Sequence, residues 1–439
     1  MNMGRIFSII KLGIKYLWRY RRRYYFLLAA LVFGFTIVSF ITSAKDGMYS
    51  SAYYSAQSHY AGDIVAVGYN SLSDGNFSHY LSQNEITAIL SAAELSELNP
   101  QYTVFRTFFS GAVVHFNGNS IELKYLTGCD WENEQHLFNN MSFDEQPVPF
   151  MEDEGIVLSV PVAKQLGAKT GDSIILELET QSGQKNTARL IINGIVKDTS
   201  IFAWYKAYIS RVALNRLIAY NENDCSTIGF FLANPASAEK GRMRLQRFLS
   251  AQAQTGPLVY NRDEMIHERD IPWNGIRIFL YTLPVYLSEI SYLLDAMNII
   301  TYFLYVMMLL IILASAGVTY RLILHERSKE MGVMRVIGFF GTDLRLVLWT
   351  EIFVLGLISI ACGFFLSRLL SLAVSRMSFA WFPGFEIFLK DGRLTALYQP
   401  GTMLFNAALL LFILFILALI PSFKVSRKEL PGLLSGEPL

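Results

Sequence analysis

The chain has 439 residues, of which 52% are hydrophobic, 14% aromatic and only 17% charged, with a formal net charge of +1. A soluble chain of this length carries about 25% charged residues. The composition therefore excludes an ordinary soluble protein, and the uneven spread of apolar residues points to membrane spans rather than an oversized core. The three cysteines form no CxxC or Cys/His cluster with metal spacing. Cys129 and Cys225 can pair in an oxidising compartment or stay as separate thiols.

Residues 1–23 hold seven Lys/Arg and no acid, ending in Arg21-Arg22-Arg23. Ile6, Ile9, Ile10, Leu12 and Leu17 fall among Lys11, Lys15 and Arg19, which suits an amphipathic helix lying on membrane lipid at the inner surface. A bilayer core of about 30 Å needs roughly 20 apolar residues in a helix. Residues 24–44 meet that requirement without a charge. Their basic flank and Ser43-Ala44 fit a signal peptide, but a signal core has about 7–15 apolar residues. The segment therefore reads as an uncleaved anchor.

Residues 45–295 contain 18 basic and 28 acidic residues, a balance of −10, and read as mixed α/β, with length enough for one domain or two subdomains. Asp63 to Val67 is a buried strand, and Ser82 with Glu85 makes a capping box that opens a helix. Two strand-like runs, Val104 to Phe116 and Ile121 to Leu126, flank the hairpin signal Asn117-Gly118-Asn119. From Gly155 to Val196 the pattern is strand, short helix (Pro161 to Leu166), a turn with Gly167, Gly171 and Asp172, strand (Ile174 to Leu178) and strand (Leu190 to Val196). The domain's edges, Ala44 to Ala61 and Leu287 to Asn298, read as helices continuing the adjoining spans, a stalk stiffer than any Gly/Ser linker.

The second span is 296–320, the third 346–372 and the fourth 402–423, separated by a loop at 321–345 and a short connection at 373–401. Loop residues Arg321, Arg327, Lys329, Arg335 and Arg345, and tail residues Lys424, Arg427 and Lys428 within 424–439, join the basic N-terminus in fixing orientation. By the positive-inside rule both termini and the loop lie in the cytoplasm, with 45–295 and 373–401 outside. Glu351 is an acid near the start of the third span, read either as a coupling residue or as an interfacial one that snorkels or pairs with a basic loop residue. Gly356, Ser359 and Gly363 put small residues on one side of that span, a candidate close-packing seam.

Several motifs are missing from the sequence. There is no GxxxxGK[ST], since Gly167-Ala168-Lys169-Thr170 lacks the adjacent Gly-Lys, and no GxSxG, HExxH or kinase signature occurs. No catalytic, cofactor-binding or metal residue is therefore expected, and the chain is not expected to be an enzyme.

The loop reads Arg327-Ser328-Lys329-Glu330-Met331-Gly332-Val333-Met334-Arg335-Val336-Ile337-Gly338, running on to Glu351. This charged helix, the Gly-x-x-Arg-x-x-Gly step at Gly332, Arg335 and Gly338, and the apolar run with an acid resemble the FtsX/MacB-type (MacB/LolC/LolE-like) permeases of ABC transporters. The Ala163, Leu166-Gly167 and Gly171-Asp172 step resembles that family's periplasmic core domain. Ile420-Pro421, Arg427-Lys428 and Pro431 resemble its C-terminus. The resemblance spans the whole chain and implies an α-helical membrane protein of four transmembrane helices, with a large mixed α/β extracytoplasmic domain between the first and second.

It further implies a permease subunit in the bacterial inner membrane that dimerises, with itself or with a similar second permease. A separate cytoplasmic ABC ATPase would bind the ATP, and no nucleic acid is expected. The loop would dock on the ATPase through Arg327, Lys329, Glu330, Met331, Gly332, Arg335, Val336 and Gly338. Glu330 and Arg335 would be exposed opposite charges, and Met331, Val333, Val336 and Ile337 an apolar face. The stalk would pass ATP-driven movement outward for mechanotransmission. The work would be lipoprotein release, with a lipoprotein carrier, or efflux with a periplasmic adaptor. Regulation of cell-wall hydrolases is disfavoured, because such regulators have smaller outer domains. The alternative is a membrane sensor whose outer domain binds a ligand and signals through a partner.

Overall fold

The structure is a computed structural model and describes residues 3–71, 77–139, 141–144, 154–180, 182–197, 206–379, 381, 388–390 and 392–427. The tail features Lys428 and Pro431 lie outside the described residues.

Helix α1 (Met3–Arg19) is followed by α2 (Arg21–Tyr60). Next come β1 (Ile64–Ser71), β2 (Phe77–His79), α3 (Gln83–Leu95), β3 (Pro100–Phe109), β4 (Ala112–Phe116), β5 (Asn119–Leu123), β6 (Tyr125–Cys129) and α4 (Gln135–Phe138). The chain continues through β7 (Gly155–Ser159), α5 (Val160–Leu166), β8 (Ser173–Glu179), β9 (Lys185–Val196), β10 (Lys206–Ser210) and α6 (Arg211–Leu217). Then follow β11 (Thr227–Leu232), α7 (Ala238–Leu249), α8 (Arg262–Asp270) and β12 (Ile276–Thr282). The helices α9 (Leu283–Glu326), α10 (Ser328–Val336), α11 (Gly341–Val374) and α12 (Pro400–Arg427) come last.

These elements divide into a helical unit, Met1–Tyr49, Asp295–Ser378 and Leu394–Leu439, and a sheet unit, Ser50–Leu294 and Phe379–Arg393. Among the described residues four helical stretches are long and apolar enough to cross a membrane: Tyr24–Tyr60, Asp295–Glu326, Gly341–Val374 and Pro400–Leu419. The first two belong to helices of 40 and 44 residues, about 60 and 66 Å long. Both exceed a hydrocarbon core of about 30 Å. No proline interrupts α2, and Gly47 is accommodated within it.

Inside the helical unit the small-residue seam on α11 packs against neighbouring helices of the same unit. A Cβ on Gly356 would meet Leu411 and Leu414 of α12 at 2.8 and 2.9 Å, and one on Gly363 would meet Val32 and Phe35 of α2 at 3.0 Å. A Cβ at Gly363 would crowd the Val32 carbonyl, so glycine there lets α11 lie close to α2, whereas at Gly356 it would press on leucine methyl groups that can shift.

The sheet unit is built on one mixed sheet in the order β12-β1-β11-β3-β6-β10-β7-β9-β8-β4-β5, with β2 added on β1. β10 runs parallel to β6 and β7 parallel to β9, while the other pairings are antiparallel. The two apolar runs flanking Asn117-Gly118 form a single bent hairpin. Phe109 faces Leu126 in β3–β6, and Ala112 faces Leu123 in β4–β5, so the register is unbroken across the bend. Gly111, at φ +83°, and Lys124 mark the bend. The first half of the hairpin pairs with β11 and the second with β8, so it serves two distant parts of the sheet. Ser82 and Glu85 form the expected capping box on α3. Cys129 and Cys225 are buried free thiols, and burial pushes Cys225 up to about 12.

The C-terminal end of α2 is fastened to this sheet by buried charge. Arg106 on β3 donates to the Ser58 and His59 carbonyls at 2.7 and 3.1 Å, closing two of the orphan acceptors of a helix end. Glu134 answers the guanidinium at 2.6 Å, and both side chains are buried. Asp63 accepts from Tyr53 and Gln57 of α2 at 2.8 and 3.0 Å and from the Leu232 N–H at 2.8 Å. The start of α9 joins the same place, with Leu283 N–H donating to Asp63 O at 3.2 Å and the Tyr286 ring stacked 4.1 Å from Tyr60.

Candidate coupling site

The connection from α9 to α11 is a compact helical turn. Arg327 leaves the α9 geometry at φ −96°, α10 forms at once, and Gly338 reverses the chain at φ +102°. The Phe339 N–H donates to Met334 O and the Gly338 N–H to Arg335 O, both at 3.1 Å. This is the paired bonding of a Schellman cap, which calls for a positive φ at the residue that Gly338 supplies. Asp343 then accepts from the Phe340 N–H at 2.9 Å and starts α11. A Cβ on Gly338 would meet nothing within 4 Å, so only backbone strain opposes substitution. Gly338→Ala is expected to cost about 1–2 kcal/mol, Gly338→Asn less and Gly338→Val more. Thermal unfolding of the three variants checks that order.

The site residues expected from sequence separate into two sets. Lys329, Val336 and Gly338 are exposed, and Glu330 and Arg335 are half-buried. Arg327, Met331 and Gly332 are buried, so they lie off the outward face where the sequence reading put them. Met331 packs in the helical unit's core with Leu348, Ile352 and Leu324. The turn's outward surface is instead Val333, Val336, Ile337 and Phe340, the exposed side of Ile337 reaching 73%, with Lys329 beside them.

Arg327 points into the helical unit because Glu351 is there. Its Nη1 donates to Glu351 Oε2 at 2.6 Å and to the Tyr24 hydroxyl at 2.8 Å, while Tyr24 donates to the same carboxylate oxygen at 2.7 Å. Glu330 lies 3.5 Å from Arg327 Nε. The Tyr16 and Tyr20 rings sit 5.3 and 5.5 Å from the guanidinium carbon, within cation–π range. Glu351, one of the two readings of which was pairing with a basic loop residue, is fully buried in that pair. The cluster thereby ties together α1, α2, the α9–α10 junction and α11. A charge pair taken out of water holds geometry stringently, because separating the partners strands both charges. Tyr24, Tyr16 and Tyr20 carried no sequence signal of this role. An acid in an apolar run is the signal that a cation must lie opposite.

Among the described residues no group of three or more His, Cys, Asp or Glu could hold a metal ion. What the arrangement offers is a short helix with an apolar outer face, set rigidly by buried charge.

Comparison with known proteins fits this geometry. The FtsX-like permease C-terminal family model matches residues 302–430, which take in most of α9 and all of α10, α11 and α12. No curated protein matches the chain. Among solved structures it is similar to one described as "a domain of a putative Permease protein from Porphyromonas gingivalis", 10% identical, covering 51% of this chain and 89% of that one. The TM-score of 0.27 is too low for that likeness to carry an argument. Residues 302–430, the stretch that contains α10 and its turn, thus match an FtsX-like permease C-terminal domain.

Proposed function

We propose that this chain couples a separate cytoplasmic ABC ATPase to work done on the other side of a bacterial inner membrane. In this reading residues 1–23, 321–345 and 424–439 are cytoplasmic, and residues 45–295 form the extracytoplasmic domain. The supporting charge asymmetry is seven Lys/Arg without an acid in residues 1–23, against a balance of −10 over 45–295.

The observation that carries the reading is the outward face of α10 and its turn. Val333, Val336, Ile337 and Phe340 are exposed together, on an element whose inner side is fixed by Arg327 and Glu351. An apolar helix face beside a lysine is what a groove in a soluble partner recognises. ATP-driven movement of that partner would tilt α10, and the Arg327–Glu351 pair would deliver it to α11. The helices α2 and α9, of 40 and 44 residues, are each longer than a bilayer crossing needs, which supports transmission by stiff elements. A dimer, with a second copy or a similar permease, supplies two such faces. Lipoprotein release from the membrane and export of periplasmic substrates are the two kinds of work this construction suits, aided by a lipoprotein carrier or a periplasmic adaptor.

Ile337→Asp tests the docking face. Losing one large apolar contact costs about 1.5–3 kcal/mol, roughly ten- to a hundredfold in affinity. Co-purification with the ATPase and ATP-driven transport should fall by that order, while the exposed position leaves thermal unfolding unchanged. Undiminished co-purification and transport would take α10 out of the mechanism.

A further inference from the structure

We propose that the outward face of α1 is a binding surface for acidic membrane lipid, and that lipid bound there steadies Arg327. The helix has two faces with different partners. Its inner face packs on α11: Ile9 is buried, and a Cβ on Gly13 would meet Thr350 and the Val347 carbonyl at 3.2 Å. Tyr16 and Tyr20, stacked with centroids 6.1 Å apart, reach from this side over Arg327.

The outer face carries Phe7, Ile10, Ile14 and Trp18, all exposed and recurring at three- and four-residue steps. Phe7 is 72% and Trp18 73% exposed. Lys11, Lys15 and Arg19, also exposed, follow at four-residue steps as a cationic rail beside the apolar stripe. Arg21 lies 5.8 Å from the Trp18 ring and extends the rail.

A stripe of this kind next to a row of cations matches a bilayer surface, whose acyl boundary takes the aromatic groups and whose headgroups meet the charge. The absence of any acid in residues 1–23 favours acidic headgroups over zwitterionic ones. Chain continuity favours lipid over a protein partner, because the apolar stretch of α2 starts at Tyr24, a few residues after Tyr20. Lipid that holds the outer face fixes the rotation of α1, and with it the two rings that cover Arg327. This inference shares the cytoplasmic placement of α1 with the reading above, but its test needs no ATPase, so the two can fail separately.

The full chain is reconstituted in nanodiscs with brominated phosphatidylglycerol or brominated phosphatidylcholine at equal mole fraction, and Trp18 quenching is taken as the difference between the native chain and Trp18→Phe. Phosphatidylglycerol should quench at least about twofold more strongly, and K11Q/K15Q/R19Q should abolish the difference. Amide exchange of residues 328–336 should slow in the acidic discs. Equal quenching by the two lipids, or no quenching by either, would overturn the assignment, the second outcome meaning that protein or water covers the face. Unchanged exchange of α10 would overturn the steadying of Arg327.

Discussion

Glu351→Gln is expected to destabilise the helical unit by about 3–5 kcal/mol, the largest effect of any single change near the loop. The substitution keeps the shape of the side chain and removes its charge. Arg327 would then be buried with only half-buried Glu330, 3.5 Å from its Nε, left as an anion beside it, together with the Tyr24 hydroxyl. Arg327→Met strands the Glu351 carboxylate in the same way. Changing both, as Arg327→Met with Glu351→Leu, removes the desolvation penalty along with the attraction, and such replacements are commonly neutral or stabilising. The double variant should therefore melt near the native chain. If the pair exists to set the angle of α10, the double variant will fold and yet lose ATPase-driven transport. Restored melting with normal transport would reduce the pair to a structural feature, and an unchanged melt for Glu351→Gln would show that water reaches the cluster.

The second large effect is expected in the sheet unit, where Arg106→Met should cost about 3–5 kcal/mol. It leaves Glu134 buried without a partner and reopens the Ser58 and His59 carbonyls at the end of α2. Glu134→Gln leaves the Arg106 charge buried without its carboxylate and should cost a similar amount, yet Arg106 keeps both carbonyls at the end of α2. Hydrogen exchange of residues 53–60 separates the two: protection should be lost in Arg106→Met and largely kept in Glu134→Gln. Equal, native-like protection in both would mean that the Asp63 contacts alone hold the helix end.

Much of this architecture is legible in the sequence because it depends on local pattern. Four apolar runs of membrane length, the Ser82–Glu85 cap and the Asn117-Gly118 turn each specify an element from a few adjacent residues. The bend in the long hairpin is not legible, because the apolar pattern runs through Gly111 and only sheet closure shows where the strands part. The direction of Arg327 is also hidden. A charge in a basic loop reads as solvated surface, and nothing in its spacing says that Glu351 and Tyr24 stand opposite. The signs of such pairs are charges in apolar surroundings, Glu351 in a span and Arg106 in a strand, each of which implies a partner without naming it. On α1, the apolar residues that read as one membrane-facing side divide between Ile9, packed inward, and Ile10, exposed with Phe7, Ile14 and Trp18. Helical periodicity locates faces, and tertiary packing decides which face is covered.

Thiol labelling at Ile337 gives the most direct test that α10 faces the ATPase and is covered by it. The chain would carry Ile337→Cys, with Cys362→Ser removing its exposed native thiol. A membrane-impermeant maleimide should leave intact cells unlabelled, label inverted vesicles stripped of ATPase, and be blocked when the ATPase is added back. Labelling of intact cells, or equal labelling with and without the ATPase, would contradict the account.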